Sequence, residues 1–378
     1  MLTRLNVLPA LVFLALGVFT GALFWAPHAG RATYLHLMLA VGAMPLIFGA
    51  MSHFIPVLTR TREAEAGIAL IPMAALAGAA LAVAAFALGG LAQGWQSGAG
   101  LAMAAALALF VWSRRRRAAM LGKPHACLAW YEAALACLFV ALLSILAAGF
   151  WPQHFPALRR LHLHLNTLGF IGLTALGTLA VLLPTAAGRP DAGAALRLRQ
   201  NLPWAFGGTL LIAAGAAWFA PLAWLGAAAW ALALARLGTA WLRLYRAEIF
   251  APHGAAPLLA SAAAGFALCL PAGAAAAIGV TLDPARLFIA AFLLPLVSGA
   301  ASQLLPVWLR PGVQNAWHGD LRRRLGRHNG PRALLYLGGG LAAGWHLEWG
   351  LPLSAATLLW FLLQAAASLI LVQQGKTS

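Results

Sequence analysis

Residues 68–92 run for twenty-five positions without a charged side chain, and residues 5–25 do the same over twenty-one. About 20 apolar residues suffice to cross the hydrocarbon core of a bilayer. Inside that core a backbone finds no water to bond, so it must close its own hydrogen bonds as a helix or a sealed barrel. The abundance of Ala, Leu and Gly favours helices, because barrel strands would alternate in polarity. Only 9% of the 378 residues are charged and 62% are hydrophobic, whereas a soluble domain carries about 25% charged residues. That is too little polar material to coat a water-soluble fold. The sequence therefore predicts an all-α polytopic membrane protein. Its twelve transmembrane helices fall at 5–25, 33–58, 68–92, 96–113, 127–150, 159–184, 203–219, 222–242, 256–279, 285–309, 333–349 and 352–373. Clusters of Pro, Gly, His and Arg mark the breaks. The chain reads as a single transmembrane domain, 1–378, in contact with the lipid bilayer.

The net charge of +17 comes from 25 Lys+Arg against 8 Asp+Glu. Such an excess can signal nucleic acid, but here it sorts by side. Arg31, Arg159, Arg160 and Arg286 fall on one side, and the other 21 basic residues, Arg4 and Lys376 among them, fall on the opposite side. Under the positive-inside rule the richer side is cytoplasmic. Both termini are then cytoplasmic, in a bacterial inner membrane, and nucleic acid is not a partner. The first apolar run lacks a small-residue cleavage pattern and reads as a spanning helix. Cys127, Cys137 and Cys269 form no CxxC pair, so neither a disulfide framework nor a zinc site is indicated.

A repeat runs through the chain. His36, His164 and Arg286 are each followed by Gly at +13 (Gly49, Gly177, Gly299) and Pro at +20 (Pro56, Pro184, Pro306), and Pro45 and Pro295 share the +9 position. These are the second, sixth and tenth spans, so the chain reads as three pseudo-symmetric four-helix units, approximately 1–125, 126–250 and 251–378. The three helices are expected to be innermost and related by a threefold pseudo-axis.

Ionisable residues inside membrane helices are costly and mark function by default. His36, His162 and His164 fall in the outer thirds of two repeat helices, at the level of Arg159, Arg160 and Arg286. Imidazole is the commonest haem-iron and transition-metal ligand, and arginine pairs with carboxylates such as haem propionates. His36 and His164, which share one repeat position, are expected to converge. His162 and His164 point about 200° apart and face different neighbours. His53 is a further metal candidate. Glu132, Asn166, Thr174, Thr178, Ser302 and Gln303 weigh less, and the Arg114–Arg117 and Arg322–Arg324 runs read as topology anchors and anionic-lipid contacts.

The segment His162-Leu163-His164, followed by Gly177 and Pro184, resembles the HxH-bearing helix of haem–copper oxidase subunit I. His36 to Pro56, with His53 before the proline, resembles the same helix and is also similar to the NnrS family, whose helix ends are matched by Pro56-Val57-Leu58-Thr59 and Pro184-Thr185. The resemblance implies a twelve-helix fold, b-type haem with copper as a second metal, His162 on a high-spin haem, and His164 and His36 on a low-spin one. The chain departs from the oxidases in having no adjacent His-His pair, no His followed four residues later by Tyr, and Arg286 where a His would stand. Oxygen reduction with proton pumping is therefore not implied; any enzyme here is an oxidoreductase without the full haem–copper centre. The resulting expectation is a haem-binding membrane protein of respiratory or nitric-oxide metabolism, with a redox partner on its outer face. A transporter or channel and an inert assembly subunit are the alternatives.

Overall fold

The computed structural model describes residues 7–25, 28, 30–61, 64–89 and 93–373. Arg4, Arg62 and Lys376 of the charge tally lie outside the described residues. The chain is 85% helix, with no strand among the described residues. Among the described residues thirteen helices follow in order: α1 (Val7–Trp25), α2 (Arg31–Thr59), α3 (Ala66–Leu88), α4 (Gly94–Ala119), α5 (Cys127–Ala148), α6 (Pro152–Ala186), α7 (Ala194–Ala217), α8 (Ala220–Ile249), α9 (Ala256–Ala277), α10 (Pro284–Leu309), α11 (Ala316–Gly326), α12 (Asn329–Gly344) and α13 (Gly350–Gln373).

Ten of them are long and apolar enough to cross a membrane, which makes this a multi-pass membrane protein. Two of the twelve expected spans form helices but fall short. Arg197, Arg199, Gln200 and Asn201 dilute the first turns of α7, and α12 has only 16 residues, about 24 Å at 1.5 Å per residue. The polar helix α11 was not anticipated.

The chain divides into two compact units, one holding Met1–Val18, His28–Ala180 and Ala192–Arg236, the other Phe19–Pro27, Val181–Asp191 and Leu237–Ser378. Within the first unit, α3 and α4 cross at glycine: a Cβ on Gly78 would lie 2.6 Å from the Gly98 carbonyl. Small residues let membrane helices approach this closely. α6 packs on α5, where Trp130 is fully buried and its indole donates to the Leu198 carbonyl of α7 at 3.1 Å. At one end of this unit Arg114 and Arg117 pair with Glu132 at 3.3 and 2.8 Å, and Arg116 pairs with Glu65 at 3.7 Å. In the second unit α10 is enclosed by α9 and α12: Gly265 meets the Ala291 backbone, and a Cβ on Gly340 would lie 2.6 Å from the Ala291 Cβ. Cys127, Cys137 and Cys269 are free and buried.

The division is into two units and not into three, but three helices share local features. α2, α6 and α10 each widen into a π-helix, at Leu37–Ala43, Leu165–Leu173 and Phe288–Leu293. Counted from His36, His164 and Arg286, the three segments begin one, one and two residues on. Proline supplies a reason in two of them. Pro45 and Pro295 follow the π-segment after one intervening residue. A proline ring crowds the carbonyl four residues back and offers it no N–H, and a wider i→i+5 turn relieves that clash. α6 has Leu173 at the same position; there the Thr174 hydroxyl donates to the Phe170 carbonyl at 2.6 Å. The glycine at +13 also repeats its role. Gly49 lies against Leu8 and Leu11 of α1, Gly177 against Trp130 of α5, and Gly299 against Leu258 and Leu259 of α9.

Candidate functional site

The imidazoles lie at the N-terminal ends of α2 and α6, just before the π-segments. In both helices the residue at the repeat origin bonds back one turn: His36 Nδ1 to the Ala32 carbonyl and His164 Nδ1 to the Arg160 carbonyl, each at 2.8 Å. His162 Nδ1 reaches across to the Ala141 carbonyl of α5 at 2.9 Å. A carbonyl can only accept, so each Nδ1 donates, and each neutral ring then presents its lone pair at Nε2. Metal-binding histidines are typically held this way, with the far nitrogen donating to a fixed acceptor.

The ring that His36 meets is His162. Their centroids are 6.4 Å apart and their planes differ by 18°. The expected partner, His164, faces elsewhere. Residues two apart on an α-helix point about 200° apart, so the turn that aims His162 at α2 aims His164 away from it. Further along, Phe48 of α2 meets Phe170 of α6 edge-on at 5.7 Å. Both contacts run in the same chain order, so the two helices are parallel and side-chain packing sets their spacing. Two imidazole nitrogens bound in line to one metal, each at about 2.0–2.1 Å, would place their ring centroids about 6 Å apart. Phe86 of α3 closes one side of His36 at 4.6 Å between centroids. Asn166 donates to the His162 carbonyl at 2.8 Å, with its amide nitrogen 3.3 Å from His162 Nδ1 and 3.5 Å from Nε2.

The arginines behave differently from one another. Arg160 donates to the Ala216 carbonyl at the end of α7, at 3.1 Å, while Arg159 is exposed at the same level. Arg286 belongs to the second unit and pairs with Asp283 at 3.5 Å. The Asp283 carboxylate also caps the start of α10 by accepting from the Ala285 and Arg286 backbone N–H groups at 3.0 and 3.2 Å. His53 lies 17 residues along α2 from His36, against Phe54 at 5.2 Å, and that is about 25 Å of helix, too far to share a ligand. The Phe86 contact and the Ala141 acceptor were missed in the sequence, because both sit in apolar runs that carry no distinguishing signal. No group of three His, Cys, Asp or Glu side chains able to hold a metal occurs among the described residues. The site therefore offers two imidazoles and no third side-chain ligand of those types. No family model, curated protein or solved structure matches the chain.

Proposed function

We propose that this multi-pass membrane protein binds b-type haem between His36 and His162 and takes part in respiratory or nitric-oxide redox metabolism. The carrying observation is the pair of imidazoles 6.4 Å apart, each held at Nδ1 by a backbone carbonyl. The donor set fits haem better than a bare ion: a porphyrin supplies four ligands and needs only axial partners from the protein, whereas zinc or copper sites draw three or four from side chains. Haem, when bound, supplies a one-electron iron couple. The chain's own part is to hold both rings in one tautomer, to exclude water with Phe86, and to offer Arg159 and Arg160 at the helix mouths for propionates. His164, fixed like His36, is available to a second haem or copper. With α7 and α12 also crossing, the 21-to-4 partition of basic residues supports a bacterial inner membrane with both termini cytoplasmic, which puts the imidazoles at the outer face, towards a redox partner there.

An optical spectrum of the purified, haem-supplemented protein tests the reading. A Soret band is expected in the wild type and in His164→Ala, and its loss in His36→Ala and in His162→Ala. A wild type without a Soret band overturns the haem assignment, and copper found by metal analysis of that same sample would assign a bare metal instead. A Soret band that survives both His36→Ala and His162→Ala overturns the ligand pair.

A further inference from the structure

The two arginine runs look alike in sequence and differ in their surroundings. In the first unit, Arg114, Arg116 and Arg117 are tied to Glu132 and Glu65. Between residues 310 and 332 of the second unit, six arginines (Arg310, Arg322, Arg323, Arg324, Arg327 and Arg332) share one acid, Asp320, and Asp320 pairs with Arg323.

That charge is held on a rigid element. α11 begins with a reciprocal cap between Asn315 and His318, and the other His318 nitrogen reaches the Arg310 carbonyl at 2.9 Å. Its far end is clamped from two helices. Arg332 of α12 donates to the Arg327 carbonyl at 3.2 Å, and Gln364 of α13 donates to the same carbonyl at 3.1 Å. Arg332 itself is fully buried, 4.4 Å over Trp360, and so belongs to the clamp. His318, Leu321 and Leu325 face inward, while Arg310, Arg323 and Arg327 are exposed and Arg322 and Arg324 are half-buried. Arg310 is stacked 4.1 Å over Trp317. A positive surface already fixed in place binds anions without the entropy cost of ordering it.

The kind of anion follows from where α11 is tethered. Six residues join it to α10 and two join it to α12. At about 3.5 Å per residue it cannot move more than about 20 Å from the end of a membrane-spanning helix. In the six-residue link, Val313 is 93% exposed, an apolar side chain that suits the boundary between headgroups and acyl chains. We propose that α11 and the link before it form a binding surface for anionic phospholipids, with Arg310, Arg322, Arg323, Arg324 and Arg327 taking the headgroup phosphates.

The test uses the full chain in detergent, with short-chain phosphatidylglycerol and phosphatidylcholine competing for retention in native mass spectrometry. Phosphatidylglycerol should be retained more than tenfold over phosphatidylcholine, because each arginine at an anionic surface contributes about fivefold. That preference should fall with rising salt. Replacing Arg322, Arg323 and Arg324 together by Gln should reduce it at least tenfold, while Lys at all three keeps most of it and shows that the fold tolerates change there. Equal preference in the Gln variant, or no salt dependence in the wild type, overturns the proposal. Displacement of the lipid by millimolar inorganic phosphate or soluble polyphosphate would assign the surface to a soluble anion and overturn it equally.

Discussion

The N-terminal ends of α2 and α6 and that of α10 are built alike and equipped differently. All three helices carry a π-segment close behind the repeat origin, a glycine at +13 against the preceding helix and a proline at +20 inside the helix. α2 and α6 place imidazoles ahead of the π-segment, bonded back to a carbonyl. α10 places Arg286 there, paired with the aspartate that caps its own helix. An apolar cavity of about 220 Å³ lies beside this end, lined by Leu268, Leu287, Leu341 and Trp345 among others. The comparison separates scaffold from chemistry: backbone widening and close packing recur without the imidazoles, so they do not depend on a ligand.

The sharpest way to break that comparison is to convert one copy into the other. His36→Arg gives α2 the residue found in α10, and it should abolish the Soret band. Arg286→Leu removes only the pairing with Asp283 and should leave the band in place. Loss of haem in both variants would show that the third copy shares the site. Between these extremes, Arg159→Leu and Arg160→Leu should each lower haem content about tenfold at limiting haem, because a charge-assisted pair with a propionate contributes about 1.5–3 kcal/mol. Pyridine haemochrome per milligram of protein measures it, and unchanged content would leave the two residues as interfacial anchors.

The glycines at +13 test the scaffold. A Cβ at Gly177 would lie 2.8 Å from the Trp130 Cβ, which is fixed to the backbone, whereas at Gly49 it would meet the flexible end of Leu11 at 2.8 Å. Gly177→Ala should therefore destabilise by about 1–3 kcal/mol and Gly49→Ala by clearly less, as read from thermal unfolding in detergent. Equal effects would mean that the rigidity of the facing atom does not decide the cost. At the start of α10, Asp283→Ala should cost about 1 kcal/mol through the lost cap.

The smallest effect concerns the loop before α5. His125 Nδ1 accepts from the Cys127 N–H at 3.2 Å, and burial together with Arg199 holds the ring below its usual 6.5. A protonated ring cannot accept that bond. The folded state favours the neutral ring, so this contribution is complete above about pH 6.5 and is lost as the pH falls below it. Wild type should lose slightly more stability than His125→Gln between pH 7 and pH 5; parallel curves would remove His125 from the account.

The membrane class and ten of the spans were legible in the amino-acid sequence, because each depends on local composition along one helix. Apolar length alone dictates a spanning helix, and Gly and Pro at +13 and +20 are visible without any neighbour. The α7 and α12 segments were harder to judge, because four polar residues at the start of one and sixteen residues in the other sit at the edge of what a bilayer accepts. α11 was read only as an arginine run, since its inward face and the clamp at its far end depend on partners in α10, α12 and α13. Tertiary structure alone decided which imidazole His36 meets. His162 and His164 are two residues apart and equivalent in composition, and the choice between them is a rotation of α6 set by Gly169 against Cys137, Gly177 against Trp130 and Phe170 against Phe48. Likewise Arg114–Arg117 and Arg322–Arg324 are both plain arginine runs in sequence, and only the placement of Glu132 and Glu65 gives three arginines of the first run carboxylate partners, because an ion pair depends on distance in space and not on position in the chain.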